Sequence, residues 1–96
     1  MELEFDPAKR KATLLERGLD FADAPQIFND AFATHLDSRR SYGEDRFVTT
    51  GMLGSRVAVL VWTWRGSARR IISMRYANER EITGFKRRLA TGGRRA

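Results

Sequence analysis

The fold of this 96-residue chain is decided by residues 46–76, RFVTTGMLGSRVAVLVWTWRGSARRIISMRY, which carry the pattern of two consecutive β-hairpins. Runs rich in β-branched and aromatic residues are separated by Gly-Ser pairs at 54–55 and 66–67. A glycine at the first central position of a two-residue loop supplies the positive φ of a type II′ turn. The pattern therefore predicts an antiparallel meander with strands over residues 46–53, 56–64 and 69–76.

Signals for a strand and a helix precede the meander. Asp6-Pro7 is typical of an N-cap followed by a first helical residue, and Gly18 suits a left-handed C-terminal position, so a helix is predicted over residues 7–17. Its apolar stripe at i, i+4 and i+7 is Ala8, Ala12 and Leu15. Alternation of acidic and apolar side chains over residues 2–5 predicts a short half-buried strand ahead of this helix.

A second helix is expected to begin near Asp20, which can cap it. Its apolar stripe is Phe21, Ala24 and Phe28. Pro25 is expected to kink this helix or to delay its onset, because its ring excludes the i−4 hydrogen bond. A strand is then predicted over residues 31–36 and a polar loop over residues 37–42.

A third helix is predicted at the C-terminal end of the chain. Asn78, with Glu81 three positions later, forms a capping-box pattern ahead of a basic helix over residues 79–90. Its apolar stripe is Ile82, Phe85 and Leu89. Together these elements predict the α+β class, with a single domain over residues 1–90 and a frayed basic tail over 91–96.

Composition narrows the class of protein. A hydrophobic fraction of 42% in 96 residues suffices for one core. The chain has no cysteine, which excludes disulfides, cysteine-ligated zinc and a thiol nucleophile. No spacing of histidine and carboxylates resembles a metal site, and no cofactor is expected. The first residues lack the layout of a secretory signal and no apolar run approaches ~20 residues, so a cytoplasmic protein without a membrane partner is expected.

Charge is distributed unevenly along the chain. The net charge is +6, yet residues 65–96 hold 10 basic and 2 acidic side chains and therefore carry +8. Such asymmetry favours a polyanionic partner, because every neutralised phosphate releases counterions. Charge alone does not distinguish RNA from DNA, and a merely solvated basic surface is the alternative.

The hairpin turns also predict which side chains share a face of the sheet, because side chains alternate along a strand and cross-strand partners lie ~5 Å apart. Arg46, Thr63 and Arg70 are expected in one row. Glu44 and Arg65 are expected in the next row at the same end. The rest of that face is predicted to hold Val48, Val59, Val61, Ile72 and Met74. The opposite face is predicted to hold Phe47, Thr49, Leu60, Trp62, Trp64, Ile71 and Ser73, with Arg69 and Arg75 at its margins. Which face the helices cover stays open.

The predicted cluster contains groups that RNA cleavage requires. Cleavage without a metal needs a base for the 2′-hydroxyl, cations for the phosphorane and an acid for the leaving oxygen. Glu44 is the candidate base, and the arginines are candidate cations, because a guanidinium binds two phosphate oxygens at once and keeps its charge. For the same reason arginine is a poor acid. The alternative is a surface ion-pair network of Glu44 with Arg46 and Arg65, contributing ~0–1 kcal/mol per exposed pair.

Two further residue types invite functional interpretations. Trp62 and Trp64 could stack on unpaired bases, but their position on a strand beside Leu60 favours packing in the core. His35 is the only histidine. It lies in a short apolar strand far in sequence from the arginine cluster, so a structural role is favoured over a role as general base.

Three segments of the chain together resemble the BrnT family, over nearly the whole length. They are LEFDPAKRKATLLERGLDFADAPQIF (3–28), YGEDRFVTTG (42–51) and RRIISMRYANEREI (69–82). The shared features are Phe-Asp-Pro at 5–7, Gly-Glu-x-Arg at 43–46 and Arg-Ile-Ile-Ser at 70–73. Each motif is weak alone, and the combination is fairly specific.

The resemblance to this family implies a fold similar to that of RelE toxins, with helices against an antiparallel sheet. It also implies a ribonuclease that arrests translation when its antitoxin is lost, and a BrnA-like antitoxin encoded alongside. In such pairs the antitoxin supplies the DNA-binding part, so that contact with DNA is indirect, and toxin dimers join antitoxin dimers in a repressing complex.

The chain departs from the family pattern at two places. Where many relatives read Lys-His-Gly at the end of the first helix, this chain has Glu16, Arg17 and Gly18. The resemblance therefore implies that any catalytic histidine at this position is absent, and that the protein either is slow or uses Arg17 only to bind phosphate. Trp64 occupies a position, next to Arg65, that is commonly polar in the family.

We therefore predict a ribonuclease toxin that acts on RNA. Its candidate RNA-cleaving surface is Glu44, Arg46, Arg65, Arg70 and Arg75, and its further RNA-binding candidates are Arg17, Trp64, Arg69 and Arg80. Two alternatives remain open. One is a basic nucleic-acid-binding module without chemistry. The other is a protein-interaction domain whose basic C-terminal helix docks an acidic antitoxin.

Overall fold

The computed structural model of the chain describes residues 1–37 and 43–92, and within them it has the predicted α+β class. The strands are β1 (Leu3–Phe5), β2 (Phe32–Leu36), β3 (Phe47–Leu53), β4 (Arg56–Arg65) and β5 (Ala68–Tyr76). The helices are α1 (Pro7–Arg17), a 3₁₀ helix (Phe21–Asp23), α2 (Ala24–Phe28) and α3 (Glu79–Gly92). The end of the predicted polar loop, residues 38–42, and the last four residues of the predicted tail lie outside the described residues.

The five strands form one sheet in the order β1-β5-β4-β3-β2. Strands β3 to β5 form the predicted antiparallel meander, and β2 adds to it by antiparallel pairing with β3. Strand β1, however, lies parallel to β5. The prediction of a purely antiparallel sheet is therefore wrong at this edge. Short turns force antiparallel pairing, whereas β1 is separated from β5 by most of the chain and can enter in either direction.

Both turns of the meander form as the sequence predicts. Gly54 and Gly66 have φ values of 62° and 60°, and no described residue other than glycine has a positive φ. The first hairpin keeps its predicted register along its whole length, from Leu53 opposite Arg56 to Phe47 opposite Trp62.

The second hairpin departs from its predicted register at a β-bulge. It begins correctly, and Trp62 still faces Ile71, but the next residue of β4, Val61, pairs with Ser73. Ile72 is therefore an extra residue in β5. Because one extra residue exchanges the two faces of a strand, the predicted faces of all later β5 residues are wrong. The residues that change face are Ser73, Met74 and Arg75.

Helix α1 begins and ends where predicted, but it does not bury its predicted stripe. The side chain of Asp6 accepts a hydrogen bond from the N–H of Ala8 at 2.8 Å, and Gly18 ends the helix with a φ of 68°. Nevertheless α1 has no buried residue, and Leu15 is 77% exposed. The helix is held by Arg10, whose guanidinium binds the Asp20 carboxylate at 2.7 and 3.0 Å. This pairing lowers the pKa of Asp20.

The segment after α1 covers one face of the sheet, which we call the core face. Asp20 caps the 3₁₀ helix, and α2 begins only at Ala24, so Pro25 delays the α-helix as expected. The buried core cluster is Leu19, Phe21, Ala24, Ile27, Ala58, Leu60, Trp62, Ile71 and Met74. The indole N–H of Trp62 donates to the Thr49 hydroxyl at 2.8 Å, which satisfies the one polar group of this buried ring.

Helix α3 packs against part of the opposite face, which we call the open face. The predicted capping box forms, because Asn78 and Glu81 exchange hydrogen bonds of 2.9 and 2.8 Å between side chain and backbone. Phe85 is buried outside the first core cluster, and Ile82 lines a small pocket with Val57. The helix continues two residues beyond its predicted end. The remainder of the open face is not covered by any described helix.

We expect Gly51→Ala to destabilise the protein by about 1–3 kcal/mol, because a Cβ at this buried position would lie 2.8 Å from Cγ2 of Ile27 and 3.2 Å from Cβ of Phe32. Gly84→Ala in α3 is the matched control, since a Cβ there meets nothing within 4 Å and alanine favours the helix by about 1 kcal/mol. Urea unfolding measures both variants. A Gly51→Ala protein as stable as the wild type would contradict this packing.

Candidate active site

Glu44 lies between two arginines at one end of the open face. Its Oε1 is 2.6 Å from Nη1 of Arg65, and its Oε2 is 3.6 Å from Nε of Arg46. The contact with Arg65 is the main cause that lowers the pKa of the Glu44 carboxyl. Glu44 is therefore a carboxylate at neutral pH, and the two arginines are held beside it.

The loop that carries Glu44 is anchored by a threonine of the sheet. The hydroxyl of Thr63 donates to the backbone carbonyl of Asp45 at 2.6 Å. In addition, the N–H of Asp37 donates to the carbonyl of Arg46 at 2.8 Å, which extends the β2–β3 ladder. The position of Glu44 therefore depends on the hydrogen bonds that hold the next two residues, Asp45 and Arg46, and not only on its ion pairs.

Arg70 completes this end of the open face. It is the cross-strand partner of Thr63 on β4 and of Glu4 on β1. Its Nη1 lies 2.7 Å from Oε1 of Glu4. The structure thus places Arg46 and Arg65 against Glu44 and Arg70 at the same end of the open face, as the register predicts. It adds a second carboxylate, Glu4, beside Arg70. Glu4 is not among the predicted site residues, because nothing in the sequence pattern shows that β1 pairs with β5.

Arg75 lies on the same face, farther along β5. The sequence places it at the margin of the other face, and this is wrong because of the bulge at Ile72. Both ends of its guanidinium bind the Glu81 carboxylate, each at 2.7 Å. This pairing is the main cause that lowers the pKa of Glu81 to about 2. Arg75 therefore fastens the start of α3 to the sheet.

A groove of about 400 Å³ opens on the uncovered part of this face. Its lining residues are His35, Leu36, Asp37, Val48, Val59, Val61, Ser73, Arg75 and Glu81. The floor is apolar and the rim carries acidic, basic and imidazole groups. A phosphodiester could therefore meet both cations and proton-transfer groups along this surface.

His35 lines the groove, although its sequence position favours a structural role. It is exposed, and the register places it in one row with Val48, Val61 and Ser73. No hydrogen bond or ion pair holds its ring among residues 1–37 and 43–92. The predicted structural role therefore has no support in its surroundings. Because side chains alternate along β2, the sequence pattern places His35 on the face opposite to that of Phe32 and Leu36. Only the pairing of β2 with β3 shows that this face forms the groove.

The chain matches the family model described as the ribonuclease toxin BrnT of type II toxin-antitoxin systems, over residues 5–81. The chain belongs to the BrnT family. The matched region runs from the end of β1 into the first turn of α3, and it contains Glu44 and all four arginines of the predicted RNA-cleaving surface. A comparison with curated proteins gave no match.

Membership of the BrnT family identifies the chain as a toxin with a ribonuclease function and an antitoxin partner, at the level of the family. Within residues 1–37 and 43–92, no group of three histidine, aspartate or glutamate side chains is placed to hold a metal ion. In the same part of the chain, no helix is long and apolar enough to cross a membrane.

The further RNA-binding candidates of this BrnT-family chain are not gathered at the Glu44 cluster. Arg17 donates to the backbone carbonyl of Met74 at 2.9 Å, along the part of β5 that β1 leaves unpaired. Arg69 and Trp64 lie at the margin of the core face. Arg80 is exposed in the first turn of α3, beside Glu81. Their part in RNA binding stays a prediction.

We expect Glu81→Gln to destabilise this BrnT-family protein by about 1 kcal/mol near neutral pH, because the change weakens the capping box and the Arg75 pair. The folded-state pKa of Glu81 is lowered from 4.5 to about 2, so its contribution is present above about pH 4.5 and is lost as the pH falls towards 2. Urea unfolding at pH 7 and pH 3 measures the difference from the wild type.

Glu79→Gln is the control for this comparison, because Glu79 lies exposed in the same helical turn and forms no hydrogen bond or ion pair among the described residues. A difference between wild type and Glu81→Gln that is equally large at both pH values would contradict the assigned cause.

Proposed function

We propose that this BrnT-family chain is a metal-independent endoribonuclease that binds RNA along the open face. By cutting RNA in the cytoplasm it inhibits translation, and a BrnA-like antitoxin neutralises it. The observation that carries the proposal is that the Glu44 pair with Arg46 and Arg65, the Arg70–Glu4 pair and the His35 groove all lie on the open face of the sheet. The family description, a ribonuclease toxin, supports the same chemistry.

Arginine side chains would hold the RNA backbone. Arg46, Arg65 and Arg70 lie at one end of the face, and Arg75 borders the groove. Each is paired with a carboxylate in this structure, but exposed ion pairs contribute only ~0–1 kcal/mol. A phosphate group can therefore replace or share these contacts at small cost, and it offers each planar guanidinium two acceptor oxygens.

The proposed cleavage is an attack of the 2′-oxygen on the adjacent phosphorus. Glu44 accepts the 2′-hydroxyl proton as the O–P bond forms, and the arginines stabilise the charge of the phosphorane. The bond from phosphorus to the 5′-oxygen then breaks, and the leaving oxygen takes a proton. The low pKa of Glu44 makes it an available but weak base, so a modest rate is expected.

His35 is the proposed acid. Arginine cannot donate a proton at neutral pH, whereas imidazole is the side chain suited to do so. His35 lies on the open face one row from Arg46, and its ring is not engaged by another described residue. Its position therefore supplies the function that the arginine cluster lacks.

The remaining parts of the proposal concern the complex. The meander with helices against it is the arrangement expected of a RelE-like fold. In the complete system, a BrnA-like antitoxin would bind DNA, and toxin dimers would join antitoxin dimers on it. The toxin itself would then contact DNA only through the antitoxin.

We expect Glu44→Gln to lower RNA cleavage by at least about 10²-fold while leaving the fold intact, as loss of a general base does. The assay is the appearance of new ends in single-stranded RNA incubated with purified protein and a chelator. Glu16→Gln, an exposed change on α1, is the matched control. Unchanged cleavage by Glu44→Gln would reject this base. Binding of RNA by the wild type without new ends would favour the non-catalytic binding module.

We expect His35→Gln to lower cleavage by about 10²- to 10⁴-fold and to change the pH profile. A general acid must carry the proton that it donates, and a glutamine side chain carries none that it can transfer, so the pH dependence of cleavage should differ between wild type and variant. Asp37, Arg75 and Glu81 are the other ionisable groups that line the groove. Ser73→Ala, in the same row, controls for groove shape. An unchanged pH profile in His35→Gln would exclude His35 as the acid.

A further inference from the structure

Arg69 occupies an aromatic box at the margin of the core face. Its Cζ lies 4.2 Å from the ring centre of Phe28 and 4.9 Å from those of both Trp62 and Trp64. Its Nε is buried and has no hydrogen-bond partner. Among residues 1–37 and 43–92, no carboxylate pairs with this guanidinium. It thereby differs from the four arginines of the open face.

Exposed apolar side chains surround this box. Trp64 is 47% exposed, Leu36 is 50% exposed and Phe32 is 42% exposed. Phe32 contacts Phe28, with ring centres 5.1 Å apart, and Leu36 is the cross-strand partner of Phe47, whose ring stacks on Trp62 at 4.8 Å. These three exposed residues with Arg69 form what we call the Trp64 patch. The core aromatic network therefore continues to the surface, where it ends in apolar groups and one cation.

A contiguous apolar patch on a small protein marks an interaction site. Tryptophan and arginine are also the residues that most often dominate protein interfaces. Nucleic acid is a poor match, since its affinity comes from several phosphate contacts and the Trp64 patch offers one cation. A second copy of this chain is also a poor match. A two-fold contact would bring the same patch from both subunits together and place Arg69 near Arg69.

We infer that the Trp64 patch binds a segment of the antitoxin that presents apolar side chains around one carboxylate, and that this carboxylate pairs with Arg69. The inference rests on the chain's function as the toxin of an antitoxin pair. Trp64, Phe32 and Arg69 lie on the side of the sheet opposite the His35 row. Leu36 lies at the boundary between the two surfaces, because it also lines the His35 groove. The antitoxin can therefore be anchored by contacts that do not compete with RNA for the arginines of the open face.

The test measures the affinity of the toxin for the protein encoded by the adjacent reading frame, by titration with purified components. Trp64→Ala removes the largest exposed ring, Arg69→Gln removes the cation, and Phe32→Asp opposes an acidic segment at a position that does not line the His35 groove. Each change should weaken binding at least tenfold, as expected for central interface residues. Leu15→Asp is the matched control, because Leu15 is exposed on α1, away from the patch, and it should bind as the wild type does.

Melting temperatures show which variants remain folded, and Trp64→Ala, at a half-exposed position, keeps the test valid if Arg69→Gln unfolds. Unchanged antitoxin affinity in the folded variants, or an equal loss in Leu15→Asp, would overturn the inference. A toxin dimer that Phe32→Asp dissociates would also overturn it. So would a loss of RNA affinity, without loss of antitoxin affinity, in these variants. Weakened antitoxin binding by a toxin that cuts no RNA would support the patch and contradict the proposed cleavage.

Discussion

One extra residue in β5, Ile72, gives the two halves of that strand opposite side-chain orientations. Before the bulge, Arg70 faces the open side and Ile71 packs into the core. After it, Met74 fills the core, and Arg75 reaches the groove and the start of α3. A regular strand would have placed Arg75 towards the helices of the core face and Met74 towards solvent. The bulge therefore keeps the core apolar and the open face charged along the same strand.

Paired charges organise the open face. Each arginine of the cluster has a carboxylate partner, and those partners come from β1, from the loop before β3 and from α3. Such pairs contribute little stability at an exposed site, but they hold the guanidiniums apart and pointing outward. An incoming phosphate would then meet cations that are already in position. Its contacts with the guanidiniums would replace weak ion pairs with carboxylates. This is the physical basis for treating an ion-pair network as a candidate RNA-binding surface.

The two sides of the sheet carry different chemical groups, which suit the two binding functions proposed for this toxin. The open face is polar at its rim and carries the groups suited to phosphate binding and proton transfer. The margin of the core face carries exposed aromatic and aliphatic side chains around one arginine without a carboxylate. These chemistries suit different partners, because phosphate binding needs several cations and protein recognition needs desolvated apolar anchors. The small sheet can serve both because its strands alternate their side chains between faces.

The sequence by itself determined the local features: both glycine turns, the limits of α1, the capping box of α3, the register of the first hairpin and the placement of Arg46, Arg65 and Arg70 at the Glu44 end of one face. Each of these depends on residues close in sequence, or on a turn that leaves only one pairing. Tertiary structure alone decided the parallel entry of β1, the bulge at Ile72, the exposure of Leu15 and the position of His35 beside the groove. These features depend on contacts between distant segments, and a periodic pattern specifies which side chains alternate but not which neighbour they meet.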